Sequence, residues 1–412
     1  MSAALAKYRD SIVKNTLTLA ARVGRIKPSP TLAVTARAAE LRAAGHNIIG
    51  LGAGEPDFDT PEHIKAAAIT AIDNGQTKYT AVDGTPALKA AIIDKFQREN
   101  GLAFTADQIL VSCGGKQSFY NLVMALLNPG DEVIIPAPYW VSYPDMVLLA
   151  DGKPVELYAG IEQRFKITPA QLAAAITPKT RLFVINSPSN PTGMAYTRAE
   201  LVALGEVLRQ HPQVIIATDD MYEHILWADE PFANILNVCP DLVSRTIVLN
   251  GVSKAYSMTG WRIGYAGGPV ELIKAMKKVQ SQSTSNPASI SQAAAVAALN
   301  GDKSCIADML KAFKERHDYL VAALNALPGM TCLPGDGTFY AFPNVQGVID
   351  RLPNVNNDVE LSEKLITEAN VALVPGSAFG APGYVRLSFA TSMEVLKEAI
   401  ARLQKFLNNS AK

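Results

Sequence analysis

The sequence predicts an α/β fold: a large domain whose mostly parallel, seven-stranded-type sheet is sandwiched by helices, plus a smaller α+β domain built from both chain ends. Three observations predict it. Short β-rich runs alternate with helical stretches from Pro61 to about Pro287, and that order makes parallel sheets with helices on both faces. The texture changes after Pro287, where long helices give way to a mixed segment. The length, 412 residues, is enough for two domains and a sizeable core.

The elements follow in order. Residues 1–27 are basic, with Asp10 the only acid, a faint likeness to a transit peptide; residues 1–29 are expected to form a structural N-terminal arm. Residues 33–44 are Ala-rich with polar residues at helical spacing, and Gly45 is a C-cap candidate. Residues 48–51 read as a short strand and 52–57 as a loop, so 30–61 form the first part of the small domain. Pro61 opens a helix toward Gly75. Strands are expected at 109–112, 132–136, 181–185, 214–218 and 246–249, with helices at 117–128 and 198–210. Residues 62–310 are thus the large domain. Residues 289–300 and 306–327 read as long helices, 338–342, 372–375 and 384–388 as strands, and 393–407 as a closing helix. Residues 311–412 complete the small domain, and no repeat, low-complexity tract or flexible linker interrupts the chain.

Composition narrows the function. Hydrophobic residues at 48 % against charged residues at 18 % mark a folded chain, not a disordered one. Lys+Arg and Asp+Glu are both 38, so nothing points to nucleic acid or another polyanion. No apolar run approaches a membrane span, and the N-terminus lacks the apolar core of a secretory signal, so a cytoplasmic protein is expected. Cys113, Cys239, Cys305 and Cys332 are scattered, without a C-x-x-C pair or a His cluster. No metal site is expected, and the thiols read as free in a reducing compartment.

Chemistry concentrates in residues 253–262, SKAYSMTGWR. Lys254 follows the short apolar run at 246–249. Taken alone it would read as a surface lysine. A lysine at a strand end walled by apolar groups is disfavoured as an ammonium, and a neutral amine can attack a carbonyl and hold it as a Schiff base. Arg262, eight residues on, offers a planar fork suited to phosphate. Together they suggest an aldehyde cofactor carrying a phosphate, which is pyridoxal phosphate.

Other segments supply its company. Asp219 and Asp220 end the run 214–218, where acids point at the crevice in which α/β proteins bind ligands, and Tyr222 follows. A carboxylate there can keep a pyridine nitrogen protonated; a helix N-cap explains the same residue equally well. Residues 186–193, NSPSNPTG, form a loop stiffened by two prolines, and pre-proline Asn190 is biased to an extended backbone. In residues 112–117, SCGGKQ, the glycines before a helix could seat an anion on free N–H groups, although helix entry often uses such glycines for packing. Trp140 follows the strand at 132–136 and could stack on a flat ring, or be a structural tryptophan. Arg386 lies in an alternating strand; it could clamp a carboxylate, or lie on a solvated face.

These strings resemble the class I aminotransferases of the fold-type I pyridoxal-phosphate enzymes, in particular their bacterial aspartate or prephenate aminotransferase branch. The likeness runs from Lys27-Pro28-Ser29 to the last helix. It is carried by SKAYSMTGWRIGY, NSPSNPTG and GAGEPDFDTP, with GGKQSFYNL, PYWVSYP and VRLSFA in the expected order. The resemblance implies that Lys254 holds pyridoxal 5'-phosphate and then moves the proton between substrate and cofactor. It implies that Asp219 pairs with the pyridine nitrogen and that Tyr222 and Asn190 bond the phenolic oxygen. Trp140 stacks on the ring, and Gly115, Lys116, Ser253 and Arg262 grip the phosphate. Tyr79 reaches the phosphate of a neighbouring subunit, so a homodimer with shared sites is implied. Arg386, with Asn190 and the backbone of Gly54, binds the α-carboxylate, and Trp140 and Lys116 also border the substrate.

The implied activity is ping-pong transfer of an amino group between aspartate, or a similar amino acid, and 2-oxoglutarate, with prephenate as a further substrate. One departure matters. Dicarboxylate-specific relatives of the animal type use a second arginine from the partner chain, and no arginine occurs between Arg262 and Arg316 here. Lys116 is the expected cation for the distal carboxylate, with Lys27 near the entrance; a point charge discriminates less than a bidentate fork. A lyase or synthase on the same scaffold, such as a β-lyase, is the competing expectation, because fold alone does not set the reaction. A non-catalytic regulator is disfavoured, since about 30 residues before the shared region are too few for a DNA-binding module.

Overall fold

In the computed structural model, which describes residues 17–410, the β-rich runs pair into three sheets. The first sixteen positions of the expected arm therefore lie outside the described residues. The large sheet contains β2 (Ile109–Ser112), β3 (Glu132–Ala137), β4 (Lys153–Tyr158), β5 (Thr180–Asn186), β6 (Ile215–Asp219), β7 (Thr246–Gly251) and β8 (Gly264–Gly267). Its seven strands run in the order β2-β8-β7-β6-β5-β3-β4. All neighbours are parallel except β8, which is antiparallel to both β2 and β7.

The central strands read as continuous apolar runs because both faces are covered. Side chains alternate across a strand, and here they divide cleanly. Ile134, Phe183, Ile185, Ile216 and Val248 pack into one core with Leu201, Leu204 and Leu208 of the helix Arg198–Arg209. Val133, Leu182, Val184, Ile247 and Leu249 pack into the other, with Phe119 and Leu122 of the helix Gly115–Leu126. The Arg198–Arg209 helix starts on a capping box, in which Thr197 accepts from the Glu200 N–H and Glu200 accepts from the Thr197 N–H.

Two strands were not legible in the sequence. β4 is a half-exposed edge strand carrying Pro154, so it lacks a sustained apolar pattern. β8 is Gly-Tyr-Ala-Gly, a poor β-former by composition. Its glycines are there for contact: a Cβ on Gly264 would lie 2.3 Å from the Gly115 nitrogen, and one on Gly267 would lie 2.8 Å from the Phe104 ring. Among helices, Pro86–Lys95 and Val270–Ser281 also escaped the sequence reading.

The chain ends meet in two small sheets. β1 (Ile49–Gly50) pairs in parallel with β10 (Val371–Ala372). β9 (Tyr340–Ala341), β11 (Val374–Pro375) and β12 (Val385–Ser388) form an antiparallel sheet in the order β11-β12-β9. The strand expected over 372–375 is thus divided at Leu373 between two sheets. A third core unites Ile49 and Leu51 with Phe313, Leu320, Leu324, Val371, Leu387 and Leu403. The helix Ser304–Asn325 joins the large and small cores without a break: Ile306 packs into the first, and Met309, Phe313 and Leu320 into the third. The expected 310/311 division falls inside that helix. Among the described residues no helix is long and apolar enough to cross a membrane.

Candidate active site

The parallel strands bring their carboxyl ends to one edge of the sheet, where α/β proteins build ligand sites. Asn186 ends β5 opposite Asp219, which ends β6. Beyond β7 the chain turns and points Lys254 into an open cleft between the large sheet and the small one. Gly54, Gly115, Lys116, Trp140, Asn190, Asp219, Tyr222, Ser253, Lys254, Arg262 and Arg386 all line this cleft. Tyr79 does not; it is 92 % exposed on the outer surface of its own chain. Lys27 is absent from the lining too, although Ser29, Thr31 and Leu32 just after it contribute to the wall.

Lys254 donates from Nζ to the Gly54 carbonyl at 2.6 Å. Its amine is pushed down to about 8, first by burial and then by the positive fields of Arg262 and Arg386; Glu55 and Asp219 oppose the shift. About a tenth of this lysine is therefore a free amine at pH 7, against well under a thousandth for an ordinary lysine, and the free amine is the form that reacts with carbonyls. Asp219 accepts from the Tyr143 hydroxyl and, at 3.3 Å, from the Met221 N–H. Burial pushes its carboxyl up, against those two donors and Lys254. A cation placed beside it would restore the carboxylate.

Arg386 is 2 % exposed yet has no carboxylate partner among the described residues. Its Nη1 donates to Asn190 Oδ1 at 2.9 Å and its Nη2 to the Gly52 carbonyl at 2.7 Å. The guanidinium lies over the rings of Tyr340 and Phe379, at 4.4 and 5.0 Å from their centroids. Its buried Nε has no hydrogen-bond partner among the described residues. A buried cation with an unused donor is costly unless something anionic completes it. Asn190 is held for this contact by Asn186, whose Oδ1 accepts from the Asn190 N–H at 2.9 Å and whose Nδ2 donates to the Asp219 carbonyl at 3.0 Å.

The opposite corner is built for a phosphate. Gly114 adopts φ +89°, and a Cβ there would lie 2.2 Å from Arg262 Nη2, so only glycine fits. The helix Gly115–Leu126 starts at this point, and its first two residues, Gly115 and Lys116, line the cleft, so an anion there would meet the end of a helix that carries free N–H groups. Arg262 is anchored by the carbonyls of Thr259 at 2.8 Å and Cys113 at 3.3 Å. Lys116 lies over the Trp140 ring, 5.3 Å from its centroid. Burial and the Arg262 charge push its amine down, and Asp145 opposes them. An amine for an aldehyde, an acid for a ring nitrogen and a glycine-arginine cradle for a dianion together fit pyridoxal phosphate.

Several contributors were not singled out in the sequence. Tyr143 and Asn186 lie inside the PYWVSYP and NSPSNPTG strings but gave no separate signal. Met221 and Tyr340 line the cleft; Tyr340 sits in a strand that reads as ordinary core. The structure also assigns Gly52 and Gly54 different tasks, since Gly52 receives Arg386 and Gly54 receives Lys254. Behind the cleft, Glu99, Glu223 and His224 come close enough to share a cation. Lys95, fully buried, is paired with Glu223, and Lys303 with Glu99, so ammonium groups already meet that charge.

Comparison with known proteins agrees with this geometry. The family described as "Aminotransferase class I and II" matches residues 46–403. An aspartate/prephenate aminotransferase of Nitrosomonas europaea is 63 % identical over 95 % of this chain and 100 % of its own length. The crystal structure of the aspartate aminotransferase from Rhizobium meliloti superposes with a TM-score of 0.92 at 50 % identity, over 95 % of this chain and 99 % of that one. The aspartate aminotransferase from Thermus thermophilus with maleate gives a TM-score of 0.88 at 43 % identity, over 94 % and 99 %.

Proposed function

The chain belongs to the class I and II aminotransferases, and on that premise we propose that it moves the amino group between aspartate, or a similar amino acid, and 2-oxoglutarate, with prephenate as a further substrate. It is an aminotransferase, and its cofactor is pyridoxal 5'-phosphate. When bound, that cofactor supplies an electron-withdrawing pyridinium ring that accepts the charge left as the substrate α-proton departs.

The residues divide the remaining work. Lys254 is the amine that would hold the aldehyde of the bound cofactor, and as a free amine it is the base placed to carry the α-proton. Its depressed basicity suits both tasks near neutral pH. Asp219, steadied by Tyr143, would keep the ring nitrogen of the bound cofactor cationic. Tyr222 and Asn190 would bond its phenolic oxygen, and Trp140 would stack on its ring. Gly115, Lys116, Ser253 and Arg262 would hold its phosphate, joined by Tyr79 from a second copy of the chain. Arg386 takes the α-carboxylate through the part of its fork that lines the cleft. Fixing the carboxylate orients the α C–H bond roughly perpendicular to the ring, which favours proton loss over decarboxylation.

Lys116 meets the distal carboxylate of a dicarboxylic substrate. The likeness to a Thermus enzyme described with maleate, a dicarboxylate, supports an acid-ended substrate. We further propose a cytoplasmic homodimer. Residues 30–61 with 311–412 form the lobe that carries Arg386, and 62–310 the lobe that carries Lys254.

One observation carries this reading: Arg386, buried without an acid, faces the same cleft as Lys254. The test is incubation of the purified holoenzyme with aspartate and 2-oxoglutarate. Oxaloacetate and glutamate should form in equal amounts. No oxaloacetate from aspartate, with ammonia, pyruvate and sulfide released in equal amounts from cysteine, would instead mean elimination on the same scaffold and overturn the proposal.

A further inference from the structure

Tyr340 stands in the cleft without a task in the scheme above. It lies on β9, is 1 % exposed, and pairs across the small sheet with Ser388, two residues beyond Arg386. Its ring lies 4.4 Å from the Arg386 guanidinium. Its hydroxyl meets the Tyr222 hydroxyl at 3.0 Å. Glycine at position 54 leaves room for this hydroxyl, because a Cβ there would lie 3.0 Å from the Tyr340 oxygen.

A hydroxyl has one proton to donate and lone pairs with which to accept. Within a pair of hydroxyls, only one donates to the other. If Tyr222 donates to Tyr340, its oxygen can only accept from the cleft. If Tyr340 donates, the Tyr222 proton is free to point into the cleft. Burial pushes both phenols up, so neither ionises near neutral pH, and the pair changes by O–H rotation. The charges facing the pair are Arg386 beside Tyr340, Asp219 near Tyr222, and Lys254 on the Gly54 carbonyl. An anionic oxygen in the cleft selects the second arrangement because it needs a donor.

We propose that Tyr340 is a positioning residue with two separable parts. Its hydroxyl donates into the Tyr222 oxygen and so turns the Tyr222 proton toward the phenolic oxygen of the bound cofactor. Its ring holds the Arg386 fork in the plane that receives the substrate carboxylate. This rests on the assignment of Tyr222 made under the proposed function.

The two parts are separated by substitution in the holoenzyme. Tyr340→Phe deletes the hydroxyl and keeps the ring; Tyr340→Ala deletes both. Each is titrated by its visible absorbance beside Tyr222→Phe and the double variant Tyr222→Phe/Tyr340→Phe, and KM for aspartate is measured. A donor to an anionic oxygen favours the deprotonated chromophore, so losing one raises the midpoint. Tyr340→Phe should raise it by on the order of half a pH unit, the size expected for one neutral hydrogen bond in a chain. Its KM should be unchanged, whereas Tyr340→Ala should raise KM about tenfold through the lost cation–π contact. The double variant should titrate like Tyr222→Phe alone. A wild-type midpoint in Tyr340→Phe with a shifted one in Tyr222→Phe overturns the hydroxyl role and leaves the Tyr222 assignment standing. A wild-type midpoint in both overturns that assignment and this inference with it. Equal KM in Tyr340→Phe and Tyr340→Ala, whether raised or not, removes the ring from the role.

Discussion

Replacing Arg386 by lysine keeps the charge and removes the fork. In the protein the guanidinium is fixed before any substrate arrives: Asn190 takes Nη1 at 2.9 Å, Gly52 takes Nη2 at 2.7 Å, and it lies over the rings of Tyr340 and Phe379. A lysine ammonium has three donors on one flexible atom and cannot satisfy Asn190, Gly52 and a carboxylate in those directions at once. At least one charge-assisted hydrogen bond is lost, worth about 1.5–3 kcal/mol. That corresponds to a fall in kcat/KM of about 10- to 150-fold. The assay is steady-state kinetics of Arg386→Lys with aspartate, glutamate and alanine as donors, with thermal melting to verify the fold. The α-carboxylate is common to all three, so the loss should be similar for each. A loss under about threefold, or one confined to the dicarboxylic donors, would refute the assignment of Arg386 to the α-carboxylate.

Lys116→Ala should act in the opposite pattern: beyond any loss that both donors share through the phosphate, KM for aspartate should rise about tenfold more than KM for alanine, because a distal carboxylate loses its one facing cation. Equal losses for both donors would remove Lys116 from that role. Lys254, with its pKa brought from 10.5 to about 8, should label with an amine-reactive reagent in the cofactor-free protein at a rate that rises to about pH 8 and then levels, since the neutral amine is the nucleophile. A rate still climbing at about pH 10 would mean an ordinary exposed lysine. Borohydride reduction of the holoenzyme followed by peptide mapping should place the cofactor on Lys254, and a label at any other lysine would refute its role.

Much of the large sheet was legible because its signal is local. The runs that became β2, β3, β5, β6 and β7 are short, apolar and bounded by turn residues. β8 was not legible, because its four residues are chosen for what they must avoid touching, and Gly264 answers to Gly114 and Gly115, some 150 positions away. The candidate site shows the same division. Lys254, Asp219, Asn190 and Arg262 sit in strings whose composition betrays a turn at a strand end. Tyr340 and Met221 sit in stretches with no such mark, and their part in the cleft follows from neighbours supplied by other segments.

By itself, the sequence determined which groups can do chemistry and where along each strand they stand, because strand, turn and helix signals span a few adjacent residues. It could not decide whether Lys254 is a weak base, whether Arg386 lacks an acid, or which carbonyl each of them meets. Those depend on fields and packing contributed by residues up to 334 positions apart, as in the bond from Arg386 to Gly52. Charge and burial act through space, so the tertiary structure alone settled them.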